Sequence, residues 1–130
     1  MAASKTILKL TPIHCVVKVY GTGEVTIALA TDLLYPNGRE TVVGQPTPPT
    51  VNITGLRWAI PGATAATVTR NSNAHWNLGG AYYLQFDGFS DNSDNTSDIV
   101  VDFGAGTGTI IIELVKISGY GDTQHLDSLI

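Results

Sequence analysis

The sequence predicts an all-β fold, a single β-sandwich or jelly-roll-like domain of about eight or nine strands. Three observations predict it. Segments of roughly five to nine residues rich in Val, Ile and Thr recur between Gly, Pro and Asn breaks, the pattern of short strands joined by turns. Fourteen glycines and six prolines in 130 residues favour turns over helices. No segment repeats its apolar residues at the spacing of an amphipathic helix.

Taken in order, residues 5–11 and 14–20 read as two strands joined through Pro12. Gly21-Thr22-Gly23 reads as a tight turn into a third, 24–30, where Val25, Ile27 and Leu29 alternate with Thr26 and Ala28. Residues 32–35 extend that strand or form a short helical turn. Residues 36–50 break the pattern with Pro36, Pro46, Pro48 and Pro49, a density that cannot pair inside a sheet. This stretch is a long surface loop or an arm that contacts a neighbour. Strand 50–60 follows, with Val51 and Ile53 on one face, Leu56, Trp58 and Ile60 on the other, and Gly55 at the switch as a β-bulge requires. Further strands are expected at 63–70, 74–78, 81–87, 98–103 and 109–118. Asn71-Ser72-Asn73 and Gly79-Gly80 turn between them, and the acidic loop 90–97 leads into the last two. Gly104–Gly108 reads as a hairpin turn between those last two strands. The domain is expected to span 1–118, with the proline-rich loop at 36–50 and a C-terminal docking tail at 119–130.

Charge and composition narrow the function. Only 14% of residues are charged, and net charge is −4 with seven Lys and Arg. That excludes intrinsic disorder, which needs high charge and little apolar content. It also argues against a phosphate-binding surface, so nucleic acid is not an expected partner. No apolar run approaches the ~20 residues that cross a bilayer as a helix, so no membrane is expected. Lys9, Pro12, His14 and Lys18 interrupt the apolar stretch near the N-terminus, which argues against an export signal. The single cysteine, Cys15, sits beside Val16 and Val17 and reads as a buried thiol in a protein made in a reducing cytoplasm.

Candidate chemistry is sparse. Residues 100–108, Val-Val-Asp-Phe-Gly-Ala-Gly-Thr-Gly, resemble the cofactor loop of class I methyltransferases. That loop needs a helix after its glycines to face the ligand, and here the β-branched run Thr109-Ile110-Ile111-Ile112 follows instead. Asp87, Asp91, Asp94 and Asp98 could bind calcium, but their spacing does not match the helix-flanked calcium loop, and a solvated turn explains them. His14, His75 and His125 form no pair at metal-ligand spacing. Trp58, Trp76, Tyr82 and Tyr83 could form a sugar-stacking platform, although aromatics at alternating strand positions are more often core. The sequence therefore calls for no enzyme activity, no cofactor and no metal.

One resemblance points to a function. Residues 1–6, 17–34, 51–58, 68–73 and 95–120 are similar to a family of small structural proteins of tailed bacteriophages, particularly those of marine cyanobacteria. The last stretch carries most of it: Asn-Thr-Ser-Asp-Ile-Val-Val, a glycine turn, then an apolar strand ending Lys-Ile-Ser-Gly-Tyr. The resemblance implies a non-enzymatic virion component made in the host cytoplasm. The expected role is a capsid decoration or cement protein that forms homo-oligomers and binds other virion proteins, the major capsid protein first among them. A neck, tail or fibre adaptor is the alternative place, and a carbohydrate-binding β-sandwich module the alternative class. Contacts are expected from Ala2, Ala3, Ser4 and Lys5, from Pro46, Thr47, Pro48 and Pro49, and from Leu126, Leu129 and Ile130, whose apolar side chains lie beyond the last strand.

Overall fold

The computed structural model describes residues 3–34, 42, 45, 47–61, 65–86 and 88–120. Within them the protein is all-β, with seven strands and no helix. The strands are β1 (Ser4–Leu10), β2 (His14–Ile27), β3 (Thr50–Ile60), β4 (Ala66–Arg70), β5 (Asn73–Leu78), β6 (Gly80–Gln85) and β7 (Ile99–Ser118). Every pairing is antiparallel, and all strands belong to one hydrogen-bonded sheet. Its order is β1-β2-β7-β3-β6, with β4 beside β7 and β5 beside β4.

Seven strands replace the eight or nine expected because two expected turns are corners within strands. Gly21-Thr22-Gly23 does not reverse the chain, nor does Gly104–Gly108. Instead the two glycine segments lie side by side: Gly21 pairs with Gly108 and Thr22 with Thr107, whose hydroxyls meet at 2.9 Å. The next pair is Glu24 with Asp102, so residues 103–106 of β7 oppose Gly23 alone. This is a large, irregular bulge, which bends a strand and strengthens its twist. The positive φ of Gly21 (115°), Gly23 (86°) and Gly104 (61°) supplies backbone that side-chain-bearing residues resist.

The corner folds the sheet onto itself. A straight strand of β7's length would span about 65 Å. Its ends nevertheless meet. The Tyr120 hydroxyl, just past β7, donates to the Leu29 carbonyl at 2.5 Å, and Leu29 lies two residues beyond Ile27, the partner of Ile99. Likewise the Val51 amide donates to the Asn95 carbonyl at 2.9 Å, although Val51 pairs with Lys116. Two limbs of one sheet thus face each other. The all-β class holds, and the facing layers are joined through β2 and β7 rather than being two separate sheets.

The space between the limbs is the core. Cys15, Val17, Val19, Leu56, Ile110, Ile112 and Leu114 line one limb; Ile27, Val68, Ile99, Val101 and Phe103 line the other, all at most 1% exposed. Along β7 the buried positions change from odd numbers to even across the corner, so one strand feeds both inner faces. The Gly55 bulge works in the same way. Thr54 is left between the pairs Ile53–Leu114 and Gly55–Glu113, which shifts the parity and turns Val51, Ile53, Leu56 and Ile60 all inward. The β4–β5 hairpin closes through Asn71 and Ser72 at φ 51° and 63°, the left-handed pair of a type I′ turn.

Candidate interaction surfaces

A sheet that is not closed into a barrel has edges, and exposed edges are where this fold can meet other chains. β1 is an edge, exposed along all but Leu10. It carries Lys5 and Lys9, and its register with β2 slips at Leu8, between the pairs Ile7–Val17 and Lys9–Val16. β5 is an edge as well, and its register with β4 slips at His75. Lysines and bulges on edge strands oppose further pairing. β6 differs from both. It pairs with β3 in unbroken register from Gly55–Gln85 to Ile60–Gly80, and its sequence Gly-Ala-Tyr-Tyr-Leu-Gln has no charge and no proline.

The aromatics expected in the core divide between inside and outside. Trp58 is half-buried and its indole N–H donates to the Gly79 carbonyl at 2.9 Å. Tyr82 and Tyr83, expected as core, are 64% and 56% exposed, because β6 is the outermost strand of its limb. Their rings stack on each other at 5.6 Å with an interplanar angle of 26°, and the Arg57 guanidinium stands 5.5 Å from the Tyr83 ring. Arg57 also approaches Glu113 at 3.7 Å. Because each tyrosine uses one ring face on the other, the pair is not a flat platform for a row of sugars.

The acidic loop is held by the protein's own donors. Asp94 accepts from Asn73 Nδ2 (3.0 Å) and Asn71 Nδ2 (3.3 Å), and lies 2.7 Å from His75 Nε2. The Trp76 indole and the Ser93 amide donate to Asp91, and the Leu29 amide donates to Asp98. Hydrogen bonds, first from Asn73, hold the Asp94 carboxyl below its ordinary pKa. Burial raises that of Asp91, but the bonds from Ser93 and Trp76 outweigh it and its pKa falls as well. Asp87 lies outside the described residues. Among those described, no three His, Cys, Asp or Glu side chains gather as metal ligands would.

Arg70 is the residue that sequence reasoning missed. It is 1% exposed, and its guanidinium donates to the carbonyls of Val51 (2.7 Å), Asn95 (3.0 Å) and Ser97 (2.8 Å). It therefore ties the start of β3 to the loop before β7. Burial pulls its pKa down while nearby Asp91 and Asp94 push it back, and a guanidinium stays charged throughout. The signal was in the alternation: Ala66, Val68 and Arg70 share one face of β4, and the first two are core.

Among the described residues, the expected contact segments at 3–5 and 47–49 lie apart. Ala3 packs against the core edge and Ser4 is exposed. Lys5 reaches across to the other limb, donating to the Thr26 carbonyl (2.6 Å) and pairing with Asp32 (2.5 Å). Thr47 and Pro48 are exposed and Pro49 is half-buried. Pro48 backs onto Gly119, where a Cβ would lie 2.2 Å from the Pro48 carbonyl oxygen. Ser4 sits opposite Tyr20 and hence Thr109, whereas Gly119 follows the far end of β7, about 30 Å of strand away. Ala2, Pro46, Leu126, Leu129, Ile130 and His125 lie outside the described residues. Tyr120, the last described, is 7% exposed and packs in the core.

Two further readings meet the structure here. The methyltransferase-like string lies inside β7, and strand follows its glycines. Gly108 serves packing, since a Cβ there would come within 2.6 Å of Ile60 Cδ1. No described helix is long and apolar enough to cross a membrane. Compared with family models, with curated proteins and with solved structures, the chain matches none.

Proposed function

We propose that this chain is a non-enzymatic structural subunit of a tailed-phage particle, placed on the capsid exterior as a decoration or cement protein. Its partners are copies of itself and the major capsid protein. One observation carries the assembly part of this reading: among the described residues eight large apolar side chains stand exposed on a chain of low charge, six of them on strands and four of those on the edge strands β1 and β6. Ile7 and Leu8 stand on β1, Tyr82 and Tyr83 on β6, and Ile117 at the end of β7 beside exposed Ile13, whose carbonyl accepts from the Lys116 amide. Exposed apolar groups on a well-packed sheet favour burial against other subunits, and contacts of that kind are little screened by salt. The phage assignment rests on the resemblance of residues 95–120 and the shorter stretches. Quantitative mass spectrometry of purified particles tests it. On the order of hundreds of copies per particle supports a capsid place, about a dozen moves the protein to neck or tail, and absence from particles overturns the reading.

A second reading, a carbohydrate-binding module, is favoured by the recess beside the acidic loop. Phe89 is 78% exposed there, next to the stacked Trp76–Phe86 pair (5.5 Å) and the hydroxyls of Ser90 and Ser93. A glycan array comparing the protein with Phe89→Ala checks it: signal lost in the variant supports a sugar site, and no signal from either removes it.

A further inference from the structure

We propose that two copies of the chain associate by antiparallel pairing of their β6 edges about a two-fold axis at Tyr83, continuing the sheet from one protomer into its partner. The proposal rests on the assembly reading above and names the contact that would begin it.

The edge strands differ. If two β1 strands paired about Ile7, Lys5 would face Lys9 of the partner, and the slip at Leu8 would break the ladder. Like charges directly opposite one another destabilise a pair. β5 carries its own slip at His75. β6 has neither defect: five consecutive extended residues, 81–85, uncharged and in regular register with β3. Gly80, at φ 66°, departs from extended backbone, and the five residues after it centre on Tyr83.

That register is self-complementary. Ala81 meets the partner's Gln85, Tyr82 meets the partner's Leu84, and Tyr83 meets the partner's Tyr83. Aromatic–aromatic and aromatic–aliphatic cross-strand pairs stabilise an antiparallel ladder. Each residue also keeps its face, so both cores stay on the same side of the joined sheet. A second copy is favoured over a charged partner because β6 offers no charge to select one. Both exposed tyrosines of β6 gain an apolar partner across the two-fold. Each chain carries a net charge of −4, so added salt should strengthen this contact rather than weaken it.

The test uses the full chain. Sedimentation or light scattering should show a dimer that tightens with protein concentration and with salt. Tyr83→Glu places two carboxylates at the two-fold and should weaken the dimer at least about tenfold, while within each protomer the new carboxylate faces its β3 partner Arg57, so circular dichroism and the thermal midpoint stay close to those of the parent. Tyr83→Cys should form a disulfide-linked dimer on mild oxidation; Cys15 is fully buried and cannot contribute. A monomer at all accessible concentrations overturns the proposal, as does a dimer indifferent to Tyr83→Glu. A monomeric chain recovered in particles, bound there through Tyr83 to another virion protein, overturns the self-pairing and leaves the structural role standing. A β6 dimer absent from particles does the opposite.

Discussion

Two of the ties that hold the loop between β6 and β7 to the sheet are made differently. At one, the buried Arg70 guanidinium is surrounded by the carbonyls of Val51, Asn95 and Ser97. At the other, the partly exposed Asp94 carboxylate gathers Asn71, Asn73 and His75 from the β4–β5 hairpin. No described buried side-chain nitrogen or oxygen is left without a partner. The two ties differ in what fills the space if the side chain is lost. Water replaces the bonds to Asp94, whereas nothing replaces those to Arg70, whose carbonyl partners would be left in a dry site. The comparison teaches that an uncharged acceptor set can hold a buried cation, and that the cost of its loss is set by desolvation rather than by charge pairing.

The largest expected effect breaks the buried tie. Arg70→Ala removes every donor to the three carbonyls and leaves a void between β3, β4 and the loop. Destabilisation of about 3–5 kcal/mol is expected, read from the urea midpoint. Arg70→Lys should recover only part of it, because an ammonium cannot reproduce the planar fork that reaches Val51 and Ser97 together. If Arg70→Ala costs no more than a surface substitution, the guanidinium is not what joins the limbs here.

An intermediate effect is expected at Asp91, which lies between the two ties. Its side chain accepts from the Trp76 indole at 2.9 Å and the Ser93 amide at 2.9 Å. Asp91→Ala strands the indole N–H of a half-buried tryptophan, and a loss of about 1 kcal/mol is expected. Tryptophan fluorescence should shift to the red as the Trp76 ring loosens from Phe86. An unchanged spectrum would mean that the stack with Phe86, not the hydrogen bond, positions the indole.

How much of this was legible in the sequence follows from where each feature is decided. Strand β3 and its bulge were readable because Gly55 and the parity change lie within one segment. The two corners were not, because Gly21-Thr22-Gly23 and Gly104–Gly108 each look like a turn alone. Only their pairing with one another, 85 residues apart at Thr22 and Thr107, makes them bends in continuous strands. Tyr82 and Tyr83 were expected inside for a related reason: alternation says which residues share a face, but not that β6 ends its limb. Arg70 was visible as the third member of Ala66, Val68 and Arg70, yet a charge at an inward position is read as buried only once its carbonyl partners are known. Of the expected contact segments, the strand at 5–11 was legible, and its Lys5 pairs with Asp32 within the fold.

The smallest effect separates the two ties by pH. Asp94 and Asp91 are held below the ordinary aspartate value of 3.8, so the folded state binds protons less readily than the unfolded chain. Their contribution to stability is therefore fully present above that value and is lost as pH falls through the depressed folded values. Arg70 also has a lowered pKa, but its titration lies far above this range, so the buried tie is insensitive to acid. Acid should thus loosen the hairpin from the loop while the Arg70 contacts persist. Amide exchange measured at decreasing pH, corrected for the intrinsic rate, should show protection falling first around residues 71–75 and 93–94, with the Val51 amide retained. Asp94→Asn should remove part of the acid sensitivity together with the stability that the carboxylate supplies at neutral pH, a small loss because Asn keeps one acceptor for the hairpin donors. If Val51 loses protection together with the hairpin, the loop is a single cooperative unit and the two ties act as one.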